Sequence, residues 1–241
     1  YPNDEVIAPG TVIISAAAHC QDITQVVEPV LQKNNHSIYY LNFSQDAYKL
    51  GGSSLGQILG RVGDKTPDVK DAEFVKNAFN TLQQLIVENR VSSGHDIGSG
   101  GLITTLLEMC FADNHLGATL DLSSLKADDM GHVLFSENMG VVFQADASVE
   151  AVFESKGIAL HRIGSPTNSG VLSITYQEET ISFDIPTYRD IWYKTSYLLD
   201  QKQSGAKKAK ERFENYKNQG LSFQFPKWFD GKLPVISSNR K

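Results

Sequence analysis

Residues Asp71–Glu108 read DAEFVKNAFNTLQQLIVENRVSSGHDIGSGGLITTLLE, and this stretch decides the fold class. Phe74, Ala78, Leu82, Leu85 and Ile86 recur at helical spacing, so residues 71–88 are predicted to form a helix with one apolar face. Asp71 and Glu73 suit the positive end of that helix. Val91–Asp96 is a short β-rich run, which Gly98, Gly100 and Gly101 then break. A second helix follows at once, with Leu102, Ile103, Leu106, Leu107, Cys110 and Phe111 as its apolar stripe. Helix, strand, glycine turn and helix in succession mark an α/β domain.

Outward from this unit the alternation continues. Strands are predicted at Thr11–Ala18, Ser37–Phe43, Ala118–Leu122, Val141–Ala145, Ala159–Ile163, Val171–Tyr176 and Thr180–Asp184. The first, TVIISAAA, has the composition of a central strand buried on both faces. Asp22 is read as the cap of a helix through Val26, Val27, Val30 and Leu31, interrupted by Pro29. Gly51–Gly56 is a glycine-rich turn entering a short helix, and another short helix covers Glu150–Ser155. Tyr176–Thr180 reads as a hairpin turn, which implies a mixed sheet. A helix starting near Pro186 carries Ile191, Trp192, Thr195, Leu198 and Leu199. Beyond Ser204 and Gly205 the pattern decays into a polar helix over Lys207–Asn218 and a linker with Phe223, Phe225, Trp228 and Phe229 as aromatic anchors. The expected fold is α/β, a mixed sheet flanked by helices, with an irregular C-terminal linker.

Composition narrows the function. A net charge of -6 argues against a nucleic-acid partner, whose domain normally carries a basic face. The local cluster Lys207, Lys208, Lys210 and Arg212 reads as a solvated helix face. The longest apolar run, Val12–Ala18, falls far short of the ~20 residues of a membrane span, and no secretory signal is seen, so a cytoplasmic protein is expected. Cys20 and Cys110 sit in apolar segments and are read as buried small hydrophobes. The chain opens on Tyr1, which points to a piece of a longer protein.

The chemistry concentrates at Ser93–Glu108. A strand delivers His95 and Asp96 to its C-terminal end, glycines follow, and a helix begins. Backbone N–H groups at such a turn attract anions, and glycines let a phosphate approach the main chain. A carboxylate there can hold Mg²⁺, which prefers oxygen ligands and bridges to phosphate. The bland alternative is a structural turn. His95 either polarises Asp96 and touches phosphate or satisfies a local backbone group. Ser136, Glu137 and Asn138 form a candidate ligand loop, with Glu137 read as a ligand or acid–base group. Gly51–Gly56 lacks the following Lys-Ser/Thr of a phosphate-binding P-loop. Trp192 reads as a packing anchor, and His19, His36, His115, His132 and His161 lack metal-ligand spacing.

These residues carry a resemblance. Ser93–Glu108 is similar to the H-D-x-S-D-G-G-L pattern of the C-terminal domain in the aminoimidazole ribonucleotide synthetase superfamily. Leu106–Ala112 (LLEMCFA) resembles the L-x-E-M-A-F-A of its large, single-chain phosphoribosylformylglycinamidine synthases. Ile13–Ala17 and Phe135–Gly140 resemble further blocks in the same order. Arg189, Trp192, Thr195, Ser196 and Leu199 match R-x-x-W-x-x-T-S-x-x-L, the most specific of these motifs. The resemblance covers about residues 5–200. It implies residues 1–10 as the end of a preceding nucleotide-binding domain, 11–204 as the synthetase C-terminal-like domain, and 205–241 as a linker toward a glutaminase domain. The enzymes it resembles use ATP and glutamine to convert formylglycinamide ribonucleotide to the amidine in purine biosynthesis, and hold an auxiliary ADP with Mg²⁺.

Carried over by position, Asp96 is the metal ligand, and His95, Gly98 and Ser99 are nucleotide-binding; no residue here is catalytic. Gly98 and Ser99 depart from the pattern, which has serine and aspartate there, and this puts the side-chain contact to ADP in doubt. Implied partners are the neighbouring domains of the same polypeptide and small-molecule substrates. The piece alone is expected to be inactive, to hold no cofactor tightly and to self-associate through the face its partner would cover. Two other readings stand: the C-terminal domain of a sister ATP-using enzyme, of selenophosphate synthetase or thiamine-phosphate kinase type, or a ligand-free interaction domain.

Overall fold

The computed structural model describes residues 13–18 and 25–215. Seven strands make one sheet: β1 (Ser37–Asn42), β2 (Val91–Asp96), β3 (Gly117–Asp121), β4 (Gly140–Ala145), β5 (His161–Thr167), β6 (Val171–Tyr176) and β7 (Glu179–Asp184). Their order is β2-β4-β1-β5-β3-β6-β7. β3 and β6 run parallel; the other neighbouring pairs are antiparallel. The helices are α1 (Ser54–Ile58), α2 (Ala72–Val87), α3 (Gly101–Glu108), α4 (Met130–Phe135), α5 (Val149–Ser155), α6 (Ile185–Ser204) and α7 (Ala206–Asn215).

β1 shows how the sheet is buried. It lies between β4 and β5, and its alternating side chains enter two separate cores. Ile38 and Tyr40 join one, with Leu102, Leu106, Val133 and Leu134 from α3 and α4. Tyr39 and Leu41 join the other, with Ala78, Leu82 and Leu85 from α2 and Phe153 from α5. A strand with helices on both sides must be apolar at every position, and SIYYLN is close to that. Each such side chain, fully buried, contributes about 1.5–3 kcal/mol of transfer free energy.

Local signals set the helix ends. Asp71 caps α2 by accepting from the N–H groups of Glu73 and Phe74. Asp184 caps α6 through the Thr187 N–H, with Pro186 in the first turn. α7 folds back on α6: the Tyr197 and Phe213 rings stack at 4.5 Å, and Arg212 Nε donates to Asp200 at 2.8 Å. α7 thus occupies the first part of the segment expected as linker, and Lys207, Lys208, Lys210 and Arg212 are exposed on it.

Two expectations are corrected. Residues 13–18 form no strand, and Ile13 and Ile14 are 86% and 87% exposed. Their composition favours a strand, but a strand needs a neighbour to bond. The helix expected through Val26, Val27, Val30 and Leu31 is absent too. Pro29 cannot donate within a helix, and the Glu28 carbonyl accepts from Gly94 of β2 at 3.1 Å instead. α4 was not foreseen, because six residues are too few to show a period. Cys110 is fully buried, which pushes its thiol up to about 12, so it behaves as a small hydrophobe. Cys20, Asp22 and the aromatic anchors beyond 215 lie outside the described residues.

Candidate functional site

The β2 tip, the glycine turn and the start of α3 form one corner. Asp96 ends β2, and the Ile97 N–H bonds to the Gly140 carbonyl on β4 at 2.9 Å. The chain then turns at Gly98–Gly101, where Gly100 (φ 90°) and Gly101 (φ 73°) take the left-handed conformation. A Cβ on Gly101 would meet the Leu134 carbonyl oxygen at 2.7 Å, so this glycine also allows α3 to approach α4 closely. Gly98 differs: among the described residues nothing lies within 4 Å of an added Cβ, and its backbone is not left-handed.

The Asp96 backbone is fixed, and its carboxylate faces solvent with Oδ1 3.3 Å from His95 Nδ1. The Asp96 carbonyl oxygen accepts from Thr105 Oγ1 at 2.9 Å and lies 2.8 Å from His95 Nδ1. Because that oxygen can only accept, Nδ1 is the donor there. On the other side of the ring, His95 Nε2 lies 3.4 Å from Glu108 Oε2. Glu108 Oε1 accepts from the Trp192 indole at 3.0 Å, and the Trp192 and Phe111 rings lie 5.5 Å apart. The Asp96 side chain itself is 86% exposed. It borders a groove of about 770 Å³ whose walls include Phe79, Leu82, Ile86, His95 and Met139.

The predicted residues therefore divide. His95, Asp96, Gly98 and Ser99 share the corner by chain continuity. Ser136 and Asn138 are buried (3% and 1% exposed), and their side chains bond to one another and to the 44–49 loop. Glu137 points its Oε1 into the glycine turn, accepting from the Gly100 N–H at 2.8 Å. Thr105 and Glu108 were missed as residues that orient the corner. Their only signal was a polar pair at i, i+3 in a mostly apolar helix that also carries Thr104. Trp192, expected as a packing anchor, is also a hydrogen-bond donor and is 52% exposed.

As a cation site the corner is incomplete. Among the described residues, no group of three His, Cys, Asp or Glu is placed to hold a metal ion. Mg²⁺ requires near-octahedral oxygen coordination. Asp96 fits it as one hard, accessible oxygen donor.

Residues 44–177, more than half of the chain, match the family described as AIR synthase related protein, C-terminal domain. The chain belongs to this family. A relative from Arabidopsis thaliana, called probable phosphoribosylformylglycinamidine synthase, chloroplastic/mitochondrial, is 35% identical over 252 residues. That match covers 99% of this chain but 17% of the relative, so the chain spans only a small part of that protein's length. The fold of the AIR synthase-related domain recurs in solved structures. T. maritima PurL complexed with FGAR superposes with a TM-score of 0.54 at 15% identity, covering 69% of this chain and 30% of that one. T. maritima PurL complexed with ATP gives 0.52 at 14%, covering 68% and 27%. The matched family segment contains the corner, the 136–138 loop and five of the seven strands, β2 to β6, leaving out β1, β7, α6 and α7.

Proposed function

We propose that this chain is part of a phosphoribosylformylglycinamidine synthase, the ATP- and glutamine-dependent C–N ligase that makes formylglycinamidine ribonucleotide in purine biosynthesis. The observation that carries this reading is the 35% identity extending over 99% of the chain. In this reading residues 11–204 form the synthetase C-terminal-like domain. It follows a nucleotide-binding domain and precedes, through 205–241, a glutaminase domain.

Within such an enzyme this domain supplies scaffold and one side of a Mg–ADP site. Asp96 is the metal ligand, and the 86% exposure of its side chain supports that role. Mg²⁺, when bound, would neutralise phosphate charge and tie it to this carboxylate. Thr105 and His95 hold the Asp96 main chain so that the carboxylate leaves the strand tip in one direction. Gly98 and Ser99 offer backbone N–H groups to phosphate, Gly98 without the hydroxyl that the family pattern carries there. The domain contains no catalytic residue in this reading and is inactive alone. A cytoplasmic location is proposed with it, although the Arabidopsis relative's name assigns that protein to chloroplast or mitochondrion. No helix among the described residues is long and apolar enough to cross a membrane.

Calorimetric titration with Mg–ADP tests the reading, first on this chain and then with the preceding domain added. Heat of binding only in the second case is the expected result, and Asp96→Asn should abolish it. Absence of binding in both cases, or binding that ignores Asp96→Asn, overturns it.

A further inference from the structure

Glu137 lies in the link between α4 and β4, yet its Oε1 accepts from two distant backbone donors. The Ser54 N–H reaches it at 2.8 Å across 83 positions of sequence, and the Gly100 N–H at 2.8 Å across 37. Ser54 opens α1 at the end of the Gly51–Gly56 turn, and Gly100 is the N-cap of α3. The two ends are not alike. α1 already has its own cap, since Ser53 Oγ accepts from the Gly56 N–H at 3.1 Å. α3 has none, because Gly100, required at φ 90°, has no side chain to cap with. Glu137 accepts from the N–H of the N-cap residue itself, the donor that the N3 glutamate of a capping box would take, and it does so from a distant part of the chain.

The neighbours of Glu137 hold it in place. Ser136 Oγ donates to the Lys49 carbonyl at 2.9 Å, and Asn138 Nδ2 donates to Ser44 Oγ at 2.9 Å and to the Asp46 carbonyl at 3.1 Å. Burial pushes the Glu137 carboxyl upward, but the N–H bonds from Gly100 and Ser54 more than offset this and hold it below its ordinary value. It is therefore a charged acceptor with two committed donors.

We infer that Glu137 is the positioning residue of the nucleotide corner: one carboxylate oxygen fixes the Gly51–Gly56 segment against the Gly98–Gly101 turn and so sets the geometry in which Asp96 and the turn N–H groups meet a ligand. This rests on the proposed nucleotide site, but the clamp can be tested without it. The glutamate acts through the turn and does not itself touch the ligand.

The experiment uses the full 241-residue chain with Glu137→Ala and Glu137→Gln. Amide exchange is followed by NMR at Ser54, Gly100 and, as a folding control, Tyr39 and Leu41 of β1. A lost bond to a charged acceptor corresponds to roughly 10-fold faster exchange or more. The expected result is that increase at both Ser54 and Gly100 in the alanine variant, with β1 unchanged. The glutamine amide oxygen can accept both bonds, so Glu137→Gln should stay within about 3-fold of the parent. Faster exchange at only one amide, at neither, or equally in both variants overturns the clamp. With the preceding domain present, Mg–ADP affinity should fall about 10-fold in the alanine variant and be restored by glutamine; an unchanged affinity in Glu137→Ala overturns the positioning role. If the parent protein binds no Mg–ADP while the exchange results hold, the nucleotide reading fails and the clamp stands.

Discussion

The glycine corner lies inside the matched family segment and the outer face of α6 beyond it, and the two meet their surroundings in opposite ways. At the corner the polar groups are largely committed within the domain: the Asp96 carbonyl to Thr105 and His95, and the Gly100 N–H to Glu137. On α6, Ile191, Leu198 and Leu199 are 60%, 49% and 57% exposed, an apolar stripe on a helix otherwise anchored through Trp192 and α7. The corner is arranged by its own domain and leaves one carboxylate outward. The helix leaves a hydrophobic surface outward, which costs free energy in water unless something covers it. The corner is thus held by bonds inside the domain, whereas the α6 stripe stands exposed among the described residues.

Five measurements sharpen or break this contrast. The largest effect is expected at Gly101. Alanine there combines a left-handed φ of 73° with a Cβ 2.7 Å from the Leu134 oxygen, at a cost of about 3 kcal/mol or more. Thermal unfolding should drop by roughly 6–12 °C; a shift under about 1 °C would show that the corner is not tightly built. Trp192→Ala comes next, at about 1–2 kcal/mol, because it loses both the Glu108 bond and the Phe111 contact. Trp192→Phe should recover the ring contact alone, so denaturant midpoints for the two variants separate the contributions.

A smaller, local effect follows from acid. The Asp46 carboxyl is lowered to about 2, first by the hydrogen bond from Lys49 and also by the Ala47 and Asp68 N–H groups. A carboxylate held low stabilises the fold above its unfolded value of ~3.9 and loses that contribution as pH falls toward its folded value. Exchange at the Ala47 and Asp68 amides should therefore rise between pH ~4 and ~2 while β1 stays protected. Loss of β1 protection at the same midpoint would mean that this loop is not a separate unit. The smallest effects on stability are expected from Gly98→Ser and from Ile191→Ser with Leu198→Ser, each within about 0.5 kcal/mol. Their value lies elsewhere. The α6 pair should reduce self-association in sedimentation velocity if the stripe is the sticky face, and no change in sedimentation would remove it from that role. Gly98→Ser, placed in open space, should tighten Mg–ADP binding in the partnered protein if the missing hydroxyl matters.

Much of the fold was legible because local physics carried it. The α2 stripe of Ala78, Leu82 and Leu85 is buried as its spacing required, and Asp71 caps it. The run at Ser37–Asn42 is an interior strand of the sheet, and β6 and β7 form the expected hairpin. Residues 13–18 misled because strand composition states a preference, and no neighbouring strand among the described residues meets it. In the site, His95 and Asp96 were legible as a strand tip before a glycine turn. Glu108, Thr105 and Ser54 were not, because what they do depends on which elements the fold brings beside them.

Periodicity and turn chemistry in the sequence alone determined most of the alternation of helices and strands from Ser37 onward, the acidic start of α2, and a lone carboxylate beside a glycine turn, since each of these is set within one or two turns of chain. Only the tertiary structure decided the strand order β2-β4-β1-β5-β3-β6-β7 and the meeting of Glu137 with both Ser54 and Gly100. Such long-range contacts close large loops, and the side chains and backbone groups that make them carry no local periodic mark.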